Sequence, residues 1–146
     1  MAFTNFDSKE INCKIVYFGA QGSGKTENLR SIYSSTSQDI QSGLLEFAQD
    51  ELDRKFFDFL PVSLGHVNDF HVKLHLYTLP HNPLYETVSS VILKGIDGYV
   101  FVVDSRFDAM GENIEALLSA KKLLSQDGSN PNDLPLVIQY NKRDVE

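Results

Sequence analysis

The sequence is poor in cysteine and in basic residues, and it has no long apolar run. Its single cysteine, Cys13, excludes an intrachain disulfide and suits a reducing compartment such as the cytoplasm. Lys and Arg number 13 against 20 Asp and Glu, which gives a formal net charge of −7. This acidic balance argues against a nucleic-acid-binding protein and against electrostatic attachment to an anionic membrane. No apolar run is long enough to span a membrane, so no membrane insertion is expected.

The N-terminal residues also lack the basic and apolar segments of a secretory signal. Of the 146 residues, 42% are hydrophobic and 23% are charged, which is typical of a globular chain. The length fits one domain over residues 1–146, with room for a sizeable core. The composition therefore predicts a single cytoplasmic domain and leaves its chemistry open.

Apolar runs and helical stretches alternate along the chain, which favours an α/β fold with a mainly parallel sheet. In the first half we expect a strand at 13–18, a helix from Lys25 onward and a polar loop at 34–43. Residues 44–52 are interpreted as a short helix. Residues 56–64 and 70–79 predict two strands joined as a hairpin, the one antiparallel element, and Pro61 suggests an edge position.

The second half continues the alternation with two largely apolar runs, at 99–104 and 136–140. Such runs are typical of strands buried on both faces. A helix is expected at 84–93 and an amphipathic helix at 113–125. The predicted apolar face of the second helix consists of Ile114, Leu117, Leu118 and Leu124.

A phosphate-binding loop follows the first predicted strand. Residues 19–26 match the pattern G-x-x-x-x-G-K-[ST] in full, between an apolar strand and a helix. Glycines let the backbone wrap closely around phosphates, and the helix N-terminus presents partial positive charge to them. The pattern predicts that Lys25 reaches the β- and γ-phosphates and that the Thr26 hydroxyl binds Mg²⁺. The predicted nucleotide-binding residues of this loop are Gly19, Gln21, Gly22, Ser23, Gly24, Lys25 and Thr26.

A second motif, N-K-R-D at 141–144, follows the last predicted strand. The Asp144 carboxylate can accept two hydrogen bonds from guanine, from N1–H and from the 2-amino group, and adenine offers no such pair of donors. A site built around those donors rejects the base that lacks them. The stem of Lys142 can lie on the base plane, and Asn141 can tie this loop to the phosphate loop. Together the two motifs favour GTP or GDP over ATP.

The sequence resembles the MglA family, the Ras-like small GTPases of bacterial gliding motility and cell polarity. The resemblance covers nearly the whole chain and is strongest at residues 10–17, 56–61, 92–98 and 136–144. It implies a P-loop NTPase fold of the Ras-like G-domain type that switches between GTP and GDP. It also implies effector proteins bound at the switch regions, recruitment to a cell pole and a roadblock-type activator.

The residues expected to hydrolyse GTP depart from the family's pattern. The family has Gly where this chain has Gln21, and bulk beside the γ-phosphate usually obstructs hydrolysis. The family's second switch reads T-x-P-G-Q, whereas here His81 replaces the Gly and Asn82 replaces the water-positioning Gln. In the first switch the expected Arg aligns with Asp53, so Arg54 could act only after a shift of one residue. The candidate catalytic residues are therefore Gln21, Arg54 and Asn82, and we expect slow or lost hydrolysis.

The metal site departs from the family's pattern as well. Thr78 holds the place of the Asp that usually assists Mg²⁺ in the second switch. Asp58, on the neighbouring strand, could replace it through a water molecule, and Thr26 would bind the ion directly. Asp104 ends the next buried strand, and it and Asp58 could equally be structural. Mg²⁺ is the only metal that the sequence predicts.

Three functions remain open at this point. The chain could be a nucleotide-bound module that does not cycle, a regulatory GTPase with ordinary cycling, or an ATP-using enzyme that shares only the phosphate loop. Asp144 argues against the third. Family members continue beyond N-K-R-D with a strand, a guanine-contacting loop and a helix. We therefore expect this sequence to be C-terminally incomplete relative to the family, with an open sheet edge and weaker nucleotide binding.

Overall fold

The computed structural model describes residues 2–36, 45–49, 55–79 and 86–145. Within these ranges seven strands and three α-helices alternate along the chain, with a short 3-10 turn at Phe107–Ala109. The strands are β1 (Phe3–Asn5), β2 (Glu10–Gly19), β3 (Leu45–Gln49), β4 (Lys55–Val67), β5 (Phe70–Thr78), β6 (Gly98–Asp104) and β7 (Leu136–Asn141). The helices are α1 (Lys25–Ser35), α2 (Glu86–Leu93) and α3 (Met110–Gln126).

The strands form one mixed sheet in the order β3-β4-β5-β2-β6-β7, with β1 paired to β2. The central pairs β5-β2, β2-β6 and β6-β7 are parallel. The predicted α/β class with a mainly parallel sheet is confirmed. The β4-β5 hairpin is present as predicted, but it is joined by two further antiparallel pairs, β1-β2 and β3-β4. Among the described residues, none of the helices is long and apolar enough to cross a membrane.

The core lies on both faces of the sheet, because successive side chains of β2 point to opposite sides. Val16 and Phe18 pack on the α3 side with Leu124, and Tyr17 packs on the α1 side with Leu29. Burying a leucine of this kind stabilises the fold by about 1.5–3 kcal/mol. Two packed layers thus hold β2, and with it the loop that follows β2, in a fixed position.

The predicted short helix at 44–52 is wrong. Residues Leu45–Gln49 form the strand β3, which pairs antiparallel with β4, and Leu45 lies opposite Phe59. The hydrogen-bonding edge of β4 is a tertiary partner that local helical propensity does not anticipate. The predicted loop at 34–43 begins too early, since α1 continues through Ser35. Residues 37–44 lie outside the described part.

The position of Pro61 is only partly as predicted. Its strand, β4, lies between β3 and β5 rather than at the edge of the sheet. Within the described residues β3 pairs with β4 as far as Phe59, and Pro61 pairs with His75 of β5. The described part of β3 therefore stops short of Pro61, although the strand that holds Pro61 is an inner strand of the sheet.

The burial predicted for β7 is wrong. β7 is the last strand in the sheet order, and the side chains of Val137 and Tyr140 are 60% and 63% exposed. The apolar face of α3 is also different from the prediction, because Ile114 and Leu118 are exposed while Leu124 is fully buried. Small residues, Ala116 and Ala120, line the buried face and allow α3 to approach the sheet closely.

Candidate nucleotide-binding site

The phosphate loop joins β2 to α1, and its shape depends on glycine. Gly19 has a φ of 150°, and a Cβ there would lie 2.5 Å from the Val102 carbonyl oxygen and 2.7 Å from Ser23 Oγ. Gly22 and Gly24 also have positive φ, at 73° and 103°. A side chain at Gly19 would clash with the backbone of β6. The loop therefore lies close against the carboxyl ends of β2 and β6, where ligands bind in open α/β sheets.

Lys25 closes over its own loop. Its Nζ donates to the carbonyl oxygens of Gly19, at 2.8 Å, and Ala20, at 2.9 Å. Burial lowers the pKa of Lys25 to about 8, although the nearby Asp58 carboxylate partly opposes this shift. A partly buried ammonium bound to neutral carbonyls is poised for an anion, because charge-assisted hydrogen bonds to phosphate oxygens are stronger.

Thr26 lies in the first turn of α1 and belongs to a cluster of three oxygen-bearing side chains. Its hydroxyl donates to Asp58 Oδ2 at 2.6 Å, and the Thr78 hydroxyl donates to the same oxygen at 3.0 Å. The Asp58 amide in turn donates to Thr78 Oγ1 at 2.8 Å. Thr78 therefore orients Asp58 toward Thr26 across the β4-β5 pair.

The other oxygen of Asp58, Oδ1, is buried and has no hydrogen-bond partner among the described residues. Such an atom is costly to bury unless a donor or a cation satisfies it. Oxygen ligands of this kind, a carboxylate beside a hydroxyl, suit Mg²⁺ and its bound water molecules. The residues present thus fit the predicted metal: Thr26 would be a ligand, and Asp58 would accept from a water molecule of the ion.

Asn141 joins the second motif to the phosphate loop. Its Nδ2 donates to the Ser23 carbonyl at 2.8 Å, the contact expected from the sequence. The fit is tight, since a Cβ at Gly24 would lie only 2.1 Å from that Nδ2. The Asn141 carbonyl accepts from the Ser105 amide at 2.9 Å, which links the loop to the end of β6. Two motifs that are far apart in the sequence are therefore in direct contact.

Lys142 and Asp144 occupy different environments. Lys142 has a φ of 59°, and its Nζ donates to Asp104 Oδ2 at 2.9 Å. Asp144 is exposed to solvent. Arg106 and Lys142 hold the pKa of Asp104 well below its usual range, Arg106 through the stronger hydrogen bonds. The sequence did not predict the partner of Lys142, because the two residues are 38 positions apart and no local pattern connects them.

The three candidate catalytic residues are only partly within the described structure. Gln21 lies exposed in the phosphate loop, between Ala20 and Gly22. Arg54 and Asn82 lie outside the described residues, as do Asp53 and His81.

No family model matches the chain. It is, however, 45% identical over 145 residues to the mutual gliding-motility protein MglA of Myxococcus xanthus (strain DK1622). The matched part covers 99% of this chain and 74% of that protein. The chain belongs to the MglA family of small GTPases. The resemblance inferred from the sequence is thus confirmed, and with it the Ras-like G-domain fold. MglA-like small GTPases in general bind GTP or GDP together with Mg²⁺.

Proposed function

We propose that the chain is a guanine-nucleotide-binding switch that binds GTP and Mg²⁺, hydrolyses GTP slowly or not at all, and recruits effector proteins. The observation that carries the proposal is the 2.8 Å hydrogen bond between Asn141 and the Ser23 carbonyl. It supports a single composite pocket, in which one loop holds phosphates and the other reads the base.

Phosphate binding is supported by the groups that surround the loop. Lys25 would exchange its bonds to the Gly19 and Ala20 carbonyls for bonds to the β- and γ-phosphates. Thr26 would bind Mg²⁺, and Asp58 would hold one of its water molecules. Mg²⁺, when bound, neutralises phosphate charge. The hydroxyl of Thr78 keeps Asp58 in place for this role.

Guanine specificity is supported by the chemistry of the second motif. Asp144 is an exposed carboxylate just beyond the carboxyl end of β7, where it can accept from N1–H and the 2-amino group of guanine. A base without those donors would leave the carboxylate unpaired on binding, which costs affinity. We therefore expect GDP and GTP to bind far more tightly than ADP and ATP.

Slow hydrolysis is supported by the sequence of the two switches and of the phosphate loop. Asn82 is one methylene shorter than the glutamine that positions water in the family, and Gln21 places bulk where the family has Gly. Hydrolysis of this kind depends on positioning, so a displacement of about 1 Å can cost about 100-fold in rate. Arg54 would have to shift by one residue to act as an arginine finger.

The biological role is supported by the relative's name, mutual gliding-motility protein. We propose that this chain acts likewise in gliding motility and cell polarity, in the cytoplasm and at a cell pole. It would bind effectors over the switch regions and the β4-β5 hairpin. A roadblock-type activator belongs to the same proposal, with a smaller role if hydrolysis is lost.

The first experiment is to extract the nucleotide from freshly purified protein and identify it by chromatography. GTP is the expected result and means that the site binds without turnover. GDP would show that hydrolysis survives and would support ordinary cycling instead. An adenine nucleotide would overturn guanine specificity.

A single-turnover assay then tests the reason for slow hydrolysis. We expect a rate below the intrinsic rate of about 10⁻⁴ s⁻¹ that is typical of small GTPases. The double variant Gln21→Gly/Asn82→Gln should hydrolyse at least about tenfold faster, whereas Gln21→Ala alone is the control for bulk. A wild-type rate that equals the double variant's would contradict the proposal.

A further inference from the structure

Asp104 is a buried carboxylate that the nucleotide site does not use directly. It is the last residue of β6 and is only 3% exposed. Arg106 binds it with two side-chain nitrogens, Nε to Oδ1 at 3.0 Å and Nη2 to Oδ2 at 2.7 Å. Lys142 binds the same Oδ2 at 2.9 Å. A buried charge is retained at low cost only when it is paired in this way.

The backbone of Asp104 is held by α3. Its amide donates to Asn113 Oδ1 at 3.0 Å, and Asn113 Nδ2 donates to its carbonyl at 2.8 Å. On the other side, Asp104 lies in register with Asn141 of β7. The Asp104 carboxylate is therefore held in a fixed position at the carboxyl end of the sheet, next to the N-K-R-D motif at 141–144.

Lys142 is in contrast a flexible side chain on an unusual backbone conformation. Its φ of 59° lies in the left-handed region, which most residues avoid. A lysine side chain has a flexible stem of four carbons, so it adopts several rotamers unless another group holds its end. The bond to Asp104 fixes the far end of the stem, and hence the course of its methylene groups.

We infer that Asp104 is a positioning residue for guanine binding, which it supports by fixing Lys142 so that the lysine stem can cover the base. This inference rests on the proposed function, because it concerns the same nucleotide pocket. Arg106 keeps the carboxylate paired when Lys142 is absent, so the two partners have different roles. Arg106 stabilises the buried carboxylate of Asp104, while Lys142 connects that carboxylate to the base.

The test is the dissociation rate of fluorescently labelled GDP from the full chain. Asp104→Asn keeps the shape of the side chain and removes its charge, and we expect dissociation about tenfold faster, because Lys142 loses a hydrogen bond to a charged group. Arg106→Gln is the matched control, since it removes the other cation from the same carboxylate. It should lower the melting temperature and leave the dissociation rate within about twofold.

A double-mutant cycle separates positioning from general stability. In a Lys142→Met background, Asp104→Asn should have no further effect on GDP dissociation, because its target is already gone. Additive effects would overturn the inference, as would an unchanged rate in Asp104→Asn. If Asp104→Asn does not fold, Asp104→Glu keeps the charge but displaces it, and an unchanged rate there would overturn the inference equally.

The same assay distinguishes the two proposals. A wild-type chain that binds GDP no better than ADP overturns the proposed function and this inference together. A wild-type chain that prefers GDP, with Asp104→Asn unaffected, overturns this inference alone.

Discussion

Replacing Gly24 by alanine is expected to disturb both nucleotide-binding loops, because Gly24 packs directly against Asn141. The φ of 103° at Gly24 is strained for any residue with a Cβ, at a cost of about 1–2 kcal/mol. The new Cβ would lie 2.1 Å from Asn141 Nδ2, so the amide must retreat substantially. That movement breaks the hydrogen bond to the Ser23 carbonyl, which contributes about 1 kcal/mol. The expected loss of stability is therefore about 2–3 kcal/mol.

Urea unfolding of the purified variants measures the loss of stability, and GDP titration measures the loss of nucleotide binding. Gly22→Ala is the matched control, because Gly22 has a φ of 73° and a Cβ there would meet no described atom within 4 Å. It should lose only the backbone contribution, about 1–2 kcal/mol. In an Asn141→Ala background the clash disappears, so Gly24→Ala should then cost no more than Gly22→Ala. Equal losses for the two glycine variants in the wild-type background would refute this reasoning.

Three further predictions address the metal, the lysine and the core. Asp58→Asn should speed Mg²⁺-dependent GDP release about tenfold, and an equal rate with and without Mg²⁺ in the wild type would contradict the assigned role. Burial lowers the pKa of Lys25 from 10.5 to about 8. Between pH 8 and pH 10.5 the Lys25 amine is therefore protonated in the unfolded chain and neutral in the folded chain. The nucleotide-free wild type should thus gain up to about 3 kcal/mol over nucleotide-free Lys25→Met as pH rises through this window, measured by urea unfolding; a constant difference would contradict it. Leu124→Ala should lower the free energy of unfolding by about 3 kcal/mol in the same assay, and Leu118→Ala by under about 0.5 kcal/mol. Similar losses for the two variants would mean that α3 packs differently.

Two of the sequence predictions that proved wrong concern burial, and they share one physical cause. The apolar run of β7 predicted a buried strand, yet Val137 and Tyr140 are exposed, so the described residues leave the faces of β7 largely uncovered. Helical spacing on α3 fits more than one face, and the close packing of Ala116 and Ala120 selects the buried one. Burial depends on which elements become neighbours, and a local pattern does not contain that information.

The sequence by itself determined the phosphate loop, the strand before it and the helix after it. Those features follow from local chemistry, namely glycines that permit positive φ, an apolar run and a lysine at fixed spacing. It also predicted the contact between Asn141 and the phosphate loop, because parallel strands end at the same edge of a sheet.

Only the tertiary structure decided which side chains support those loops. Thr78 of β5 reaches Asp58 of the adjacent strand β4, and Asp104 of β6 reaches Lys142 just beyond β7. These partners are far apart in sequence and share no motif, so their pairing is fixed by strand order and register. The chemistry of the site is therefore encoded in short motifs, while its support comes from long-range packing.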